Sequence, residues 1–286
     1  MRSVGVIAAA IVFSCAIGGT ALAQSGQGAI HGTWTLYGTL QPLIADLDDE
    51  YDLEYGAEGS ALGESDLVSG EHNVAPLSRP LTPQAIAALE DQGVVPVQNV
   101  IALTSMVLYV RADQSIREIS IPVIRDIYRC QVRDWSQVPN SGKSGPIDVF
   151  RPRDFGKTEV FFDMVGITSF GSCVVGLYDD ELALETALNP DAIGYSNLQH
   201  LRVGENKRLA VSPSGAPGTF VAPSYPTTRN LSYPLARRLY FVTLSGSGRV
   251  ATEAEEWLTS SVMDRNLLER YVLPAELVMC SSSGCP

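Results

Sequence analysis

Apolar residues along this chain follow two different spacings, which together predict an α/β fold. Helical spacing places apolar residues three and four positions apart. The helices predicted in this way cover residues 40–51, 61–67, 83–93, 120–128, 157–165, 181–188 and 253–271. Short alternating or β-branched runs are typical of strands. They occupy residues 33–37, 53–55, 72–77, 94–111, 147–150, 190–195 and 239–243. Strands that alternate with helices favour a largely parallel sheet, whose ligands bind beyond the carboxyl ends of the strands.

The long apolar run 94–111 bears on how the chain is divided. It is too β-branched for a helix and is interrupted by Pro96, so we interpret it as two strands. A crossing between two lobes is expected near residues 103–109. Residues 213–226 are rich in Pro, Gly and Ser and are predicted to form the return link. Trp135 is predicted to fill the core beneath a loop.

Hydroxyl side chains lie where predicted strands give way to turns or helices. Thr39, Ser60 and Ser78 each follow a predicted strand. Thr82 has the position of a helix N-cap, with Pro83 in the first turn. Each of these side chains either caps a helix or offers an O–H group to a ligand at the same edge of the sheet.

Residues 147–165 combine a buried strand end, a tight turn and the start of a helix. Arg151, Arg153 and Lys157 crowd this turn, although the formal net charge of the chain is −12. The first N–H groups of a helix lack partners and, with the positive end of the helix dipole, attract anions. The turn is therefore a candidate anion site, and a solvated basic turn is the alternative.

Two enzyme-like motifs fail at a required position. The triplet Gly156-Lys157-Thr158 matches the end of a nucleotide P-loop, but Arg151 stands where that motif needs glycine, so nucleotide binding is excluded. The segment 63–67 begins like a hydrolase nucleophile elbow but ends in Leu67 instead of glycine. We therefore predict a protein that is not an enzyme and needs no cofactor.

The first 23 residues have the pattern of a secretory signal peptide. One arginine precedes a long apolar run, and Ala21-Leu22-Ala23 is a cleavage site of small residues. A lipid anchor at Cys15 is the alternative. Removing residues 1–23 takes away one arginine and no acid, so the mature charge is −12 − 1 = −13. This charge repels nucleic acid. No later segment is long and apolar enough for insertion of the mature chain into a membrane.

The cysteines suggest disulfides and the histidines suggest no metal site. Without Cys15 of the signal peptide the mature chain keeps four of the five cysteines, and an even number in an exported chain favours two bridges. The candidates are Cys130 with Cys173 and Cys280 with Cys285, because these pairs are neighbours along the chain. Free buried thiols are the alternative. His31, His72 and His200 lie far apart in sequence, so no metal cluster is predicted.

Three segments resemble periplasmic phosphate-binding proteins of bacterial ABC importers. Residues 119–135, ISIPVIRDIYRCQVRDW, are similar to a helix followed by tryptophan in that family. Residues 189–198, NPDAIGYSNL, resemble its Ile-Gly-Tyr strand. Residues 228–243, TRNLSYPLARRLYFVT, resemble its Tyr-Pro-Leu-x-Arg-x-Leu-Tyr return strand. The resemblance extends in order over residues 33–275.

This resemblance implies a two-lobed α/β fold of the type II periplasmic-binding-protein class, with a mixed sheet flanked by helices in each lobe. Residues 30–106 and 228–286 would form lobe 1, and residues 107–227 an inserted lobe 2. The protein would be a monomer that binds inorganic phosphate or a related oxyanion and delivers it to an ABC permease. The resemblance implies ligand contacts at Thr39, Leu40, Ser60, Ser78, Arg151, Gly156, Lys157 and Thr158. We add Asp154, which lies in the same turn as Arg151.

The chain departs from the family pattern at two positions. Phe155 stands where a serine hydroxyl is expected, and Lys157 lies next to the threonine. Cys130 replaces the usual glycine, which suits a bridge to Cys173. The first departure leaves a second function open, an exported sensor, scavenger or secretion-linked protein with altered or lost phosphate binding.

An oxyanion site needs donors, and a guanidinium supplies two parallel N–H groups to such an anion. Arg151 is the sequence candidate for this role. Asp154 would orient Arg151 or accept a proton of monohydrogen phosphate, or would act only as a helix N-cap. Arg79 would contribute less, or would be paired with one of the many acids.

Overall fold

The computed structural model of this protein describes residues 28–37, 40, 53–153, 155–197, 201–202 and 204–244. Predictions for other residues lie outside this part of the chain. They include the signal peptide, the alternative anchor at Cys15, the pair Cys280 and Cys285, and the helix 253–271.

The described part alternates strands with short helices. The strands are β1 (Gly28–His31), β2 (Leu53–Gly56), β3 (Val74–Leu77), β4 (Pro96–Arg111), β5 (Glu118–Ser120), β6 (Asp148–Pro152), β7 (Val174–Leu177), β8 (Ala192–Asn197), β9 (Asn206–Arg208), β10 (Ala210–Ser212) and β11 (Ala236–Leu244). The helices are α1 (Ser60–Ser69), α2 (Pro83–Asp91), α3 (Ile121–Tyr128), α4 (Phe155–Val165), α5 (Asp179–Leu188) and α6 (Tyr225–Arg229). Residues 34–37 and 40 are also helical.

The main sheet has the strand order β3-β11-β4-β8-β6-β7, with β9 beside β4. β6 runs parallel to both β7 and β8. β11 is antiparallel to β3 and β4, and β4 is antiparallel to β8. The expectation of a largely parallel sheet is therefore wrong outside β8-β6-β7, because the chain returns through the long antiparallel strands β4 and β11. The sheet is mixed, as the type II fold requires.

β4 joins the two halves of this sheet. Its first part, from Pro96 to Ser105, pairs with β11, and its last part, from Met106 to Arg111, pairs with β8 and β9. The predicted pair of strands in this run is thus one continuous strand. A register shift between Leu239 and Tyr240 in β11 accommodates its twist.

Each half has its own apolar core, so the fold is two-lobed. We use lobe 1 for the half that contains β3, α1, α2 and β11, and lobe 2 for the half that contains α3 to α5 and β6 to β8. The lobe 1 core consists of Leu67, Ala75, Leu77, Leu81, Ala85, Leu89, Val242 and Leu244. The lobe 2 core includes Tyr128, Trp135, Val149, Phe161, Val165 and Tyr195.

Several local predictions are confirmed. Thr82 caps α2, with its Oγ1 accepting from the N–H of Ala85 at 3.2 Å, and Gly93 follows the helix with φ of +75°. Trp135 is fully buried and donates from Nε1 to the carbonyl oxygen of Asp191 at 3.1 Å. The cap depends on neighbouring residues, whereas the burial of Trp135 follows from the size and apolar character of its side chain.

The predicted strand 33–37 is wrong. Residues 34–37 are helical, and the strand before them is β1. The same residues fit helical spacing: Trp34 stacks on Tyr37 with ring centroids 5.0 Å apart, and Leu36 and Leu40 are both buried. Alternation of apolar and polar residues over so short a segment does not distinguish a strand from a helix.

The disulfide between Cys130 and Cys173 is confirmed. Cys130 follows α3 with φ of +62°, a left-handed conformation that favours glycine. The glycine expected at this position has therefore been replaced by a residue that the bridge holds in the same backbone conformation. The bridge ties the end of α3 to the segment that enters β7.

Within the ranges described, no helix combines the length and the apolar character needed to cross a membrane.

Candidate functional site

Two buried serines meet where lobe 1 faces lobe 2. Ser60 begins α1 directly after Gly59, and Ser78 follows β3. Their hydroxyl oxygens lie 2.9 Å apart, and the N–H of Ser78 donates to Oγ of Ser60 at 3.0 Å. Two of the hydroxyl residues singled out from the sequence therefore form one polar corner, at the N-terminus of a ten-residue helix.

A carboxylate from the other lobe lies close to this helix terminus. It belongs to Glu159 of α4 in lobe 2, and the backbone of Ser60 favours its charged form. A Cβ atom built on Gly59 would lie 2.9 Å from a carboxylate oxygen of Glu159, and φ of Gly59 is +113°. Glycine at this position gives an anionic group close access to the backbone.

Burial of Glu159 disfavours its negative charge, whereas two nearby arginines favour it. Burial raises the pKa of Glu159 above its ordinary value, against the opposing effects of Arg79, the N–H of Ser60 and Arg237. The carboxyl group of Glu159 therefore marks a place, partly removed from water, where the backbone of Ser60 and the charges of Arg79 and Arg237 favour an anion.

Arg237 is the buried cation of this corner. It lies on β11 with a relative exposure of 7% and donates from Nη2 to Oγ1 of Thr35 at 3.0 Å. Sequence reasoning did not select Arg237, although it is the arginine within the motif Tyr-Pro-Leu-x-Arg. That motif supplied the signal that could have identified it.

Arg79 is tied to lobe 1. Its Nη1 lies 2.6 Å from a carboxylate oxygen of Glu64, which also accepts from the N–H and the hydroxyl of Thr82. Although burial acts in the other direction, the hydrogen bonds from Arg79 and Thr82 hold the pKa of Glu64 below its ordinary value. The alternative in which Arg79 pairs with an acid is therefore confirmed.

The described contacts of Arg151 lie within lobe 2. Its Nη1 donates to the carbonyl oxygen of Pro152 at 2.9 Å, and its guanidinium carbon lies 5.1 Å from the ring centre of Phe170. In the described part of the chain, no hydrogen bond or ion pair joins Arg151 to Ser60 or Ser78.

The other candidates of the basic turn lie at the start of α4. Lys157 is buried and forms an ion pair with Asp179, whose second carboxylate oxygen accepts from the hydroxyl of Ser196 at 2.5 Å. Gly156 is buried and Thr158 is half-buried.

The structure describes only some of the remaining candidate ligand contacts. Leu40 is fully buried. Thr39, Asp154 and the side chain of Phe155 lie outside the described residues.

A second polar cluster was missed from the sequence. His31, Asp66 and His72 each offer a ligand atom, and these atoms lie within 4.8 Å of one another. The expectation that the histidines form no cluster is wrong, because β1, α1 and the turn before β3 bring together residues that are distant along the chain.

Comparison with known proteins gives similar sequences and similar folds. The phosphate-binding protein PstS of Staphylococcus saprophyticus is 22% identical over 245 residues, which cover 82% of this chain and 76% of that protein. Protein SphX of Synechococcus elongatus is 21% identical over 233 residues, which cover 77% of this chain and 69% of that protein.

Solved structures show the same fold at low identity. A possible phosphate binding protein from Planctomyces limnophilus has a TM-score of 0.76 at 19% identity, covering 90% of this chain and 96% of that chain. An ABC-type phosphate transport receptor from Vibrio cholerae has a TM-score of 0.71 at 18% identity, covering 87% of this chain and 100% of that chain. A family model described as a PBP superfamily domain matches residues 20–263, and the chain therefore belongs to the PBP superfamily.

Proposed function

We propose that this protein is an exported solute-binding protein that holds inorganic phosphate, or a similar oxyanion, between its two lobes for an ABC importer. One observation carries the proposal: the N-terminus of α1, where the hydroxyls of Ser60 and Ser78 meet, lies beside the carboxylate of Glu159, whose charged form the backbone of Ser60 favours. A helix terminus with neighbouring hydroxyl groups and a buried guanidinium is suited to an oxyanion. The work is binding rather than catalysis, by a monomeric mature chain released from its signal peptide, residues 1–23.

The ligand position that we propose is the one taken by the carboxylate of Glu159. Ser60, Ser78 and Arg237 would supply donors from lobe 1. The resemblance adds Thr39 and Leu40, and from lobe 2 it adds Arg151, Asp154, Gly156, Lys157 and Thr158. Binding then requires that the carboxylate of Glu159 move away from the N-terminus of α1 or become protonated, since two anions would otherwise share one set of donors.

The proposed lobe boundaries follow the change of strand partners. Lobe 1 would comprise residues 30–106 and 228–286, and lobe 2 residues 107–227. Support comes from β4, which changes partners after Ser105. The hydroxyl of Ser105 lies 2.6 Å from that of Thr228, so both crossings meet at one point.

A second function, that of an exported sensor or scavenger with altered or lost phosphate binding, is favoured by a specific pair of observations. Glu159 places a carboxylate beside the N-terminus of α1, where an oxyanion would bind, and Lys157 is paired with Asp179. Both features reduce the free energy available for a dianion.

Thermal unfolding of the mature protein against phosphate, sulfate, arsenate and molybdate separates the two functions. A ligand at 100 times its dissociation constant stabilises the folded state by about 2.7 kcal/mol. We expect phosphate or arsenate to raise the melting temperature. If none of the four anions does so, the second function is the correct one.

The same assay identifies the guanidinium. We expect Arg237→Ala to weaken phosphate affinity by about 100-fold, since a charge-assisted hydrogen bond contributes about 1.5–3 kcal/mol. Arg238→Ala is the matched control, because Arg238 is the next residue of β11 and is exposed. Arg151→Ala should have the smaller effect of the two site variants. A larger loss with Arg151→Ala would transfer the role of the guanidinium to lobe 2.

A further inference from the structure

The cluster of His31, Asp66 and His72 is built from three separate elements of lobe 1. His31 ends β1, Asp66 lies in the middle of α1, and His72 lies in the turn that leads to β3. Nδ1 of His31 lies 2.5 Å from a carboxylate oxygen of Asp66, and the two imidazole rings have centroids 5.7 Å apart. Three nitrogen and oxygen donors thus converge although up to 41 residues separate them, as the numbering of His31 and His72 gives 72 − 31 = 41.

One buried nitrogen of the cluster lacks a hydrogen-bond partner in the described part of the chain. Nε2 of His72 is buried and has no hydrogen-bond partner among the described residues. Buried polar atoms are nearly always satisfied, so an unsatisfied one indicates a missing partner. Asp66 is also buried, with 6% of its side chain exposed, and only His31 forms an ion pair with it in the described part of the chain.

A fourth oxygen lies at the open side of the cluster. A carboxylate oxygen of Glu58, which is 57% exposed, is 3.8 Å from Nε2 of His31. Gly56 makes this approach sterically feasible. A Cβ atom there would lie 2.3 Å from both the Glu58 carboxylate and Cδ2 of His31.

The donor set selects the kind of ion. Two imidazole nitrogens and a carboxylate oxygen are ligands of Zn²⁺ and of neighbouring transition metals, whereas Ca²⁺ and Mg²⁺ prefer sites made of oxygen alone. Ligands about 2.0–2.1 Å from a tetrahedral zinc ion lie roughly 3.3 Å from each other. The ligand atoms of the cluster lie within 4.8 Å of one another, so they reach that geometry through shifts of the side chains, and Nδ1 of His31 gives up its hydrogen bond to Asp66 as the ion enters.

We propose that His31, Asp66 and His72 form a binding site for a divalent transition metal ion, zinc in the first instance, in lobe 1. The ion fastens β1 and the turn before β3 to α1. Since α1 carries Ser60 at its N-terminus, the ion stabilises the frame of the serine corner without touching it. The site does not depend on the identity of the solute that the protein binds.

Calorimetric titration of the full mature chain with ZnCl₂ in phosphate-free buffer tests the site. We expect one ion to bind per chain and His72→Gln to weaken the affinity by at least about 100-fold. Loss of an outer-shell partner alone costs about 10–100-fold, and His72 is a direct ligand. Asp113→Asn is the control, because Asp113 is an exposed acid paired with Arg111.

Two further measurements keep the result interpretable. His72→Gln removes a nitrogen without a described partner, so its melting temperature in EDTA should equal that of the wild type. Co²⁺ in place of Zn²⁺ should give visible absorption bands of tetrahedral coordination in the wild type but not in His72→Gln. Absence of zinc binding in the wild type, or equal affinity in the wild type and His72→Gln, would overturn the proposal.

Discussion

The serine corner of lobe 1 and the basic turn of lobe 2 contain similar polar residues but use them differently. At the corner, the N-terminus of α1 lies beside the carboxylate of Glu159 from the other lobe. At the turn, Arg151 and Lys157 already have partners within lobe 2, namely Pro152 and Asp179. We therefore expect the corner to contribute more to anion binding than the turn.

The strongest test of this contrast is Lys157→Met. If Lys157 is a structural partner of Asp179, the variant leaves a partly buried carboxylate without its cation and lowers the free energy of unfolding by about 3 kcal/mol. Urea denaturation measures this loss. The double variant Lys157→Met with Asp179→Asn should recover most of the stability. If Lys157→Met unfolds like the wild type but loses its phosphate response, Lys157 is a ligand contact and the contrast fails.

A smaller loss is expected for Ser60→Ala at the corner. The variant leaves the buried N–H of Ser78 without its acceptor and should lower the free energy of unfolding by about 2 kcal/mol. It should also weaken phosphate binding, which isothermal titration measures. Ser65→Ala is the control, because Ser65 lies on the same helix and is exposed. Equal phosphate affinity in Ser60→Ala and Ser65→Ala would remove the corner from the binding site.

The smallest expected effect is the contribution of Glu159 to the pH dependence of stability. Burial raises the pKa of Glu159, so the folded state binds a proton more tightly than the unfolded state. The corresponding stability is present below the ordinary pKa of 4.5 and is lost as the pH rises through the raised pKa of the folded state. We expect Glu159→Gln to remove this pH dependence and to gain stability over the wild type between acid and neutral pH.

Thermal unfolding of both proteins across this pH range measures the difference. Asp163→Asn provides a comparison on the same helix, since Asp163 acts on Glu159 only as a nearby like charge. A constant difference between wild type and Glu159→Gln at every pH would contradict the proposed environment of Glu159.

The sequence predicted features whose causes lie within a few residues or in residue type. The N-cap at Thr82 follows from local chemistry. The burial of Trp135 and the bridge between Cys130 and Cys173, which are 43 residues apart, followed instead from residue type and from the even number of cysteines in the mature chain. The two-lobed fold followed from the order of motifs along the chain.

The features that escaped prediction depend on pairing between distant segments. Lys157 meets Asp179, and Arg237 reaches Thr35 because β11 returns antiparallel beside β4. His31 and His72 are joined only when β1 packs beside α1. Spacing along a sequence does not describe such contacts, since tertiary packing decides them.

β4 has a consequence for how the molecule can move. One uninterrupted strand is hydrogen-bonded on both sides of the boundary between Ser105 and Met106, and the amide of Met106 is bonded to the carbonyl of Leu235 at 2.9 Å. Opening and closing would therefore proceed by elastic bending and twisting of two adjacent backbones, with the ladder kept intact, and not by melting a flexible linker. We expect such a hinge to have a narrower angular range than a flexible linker.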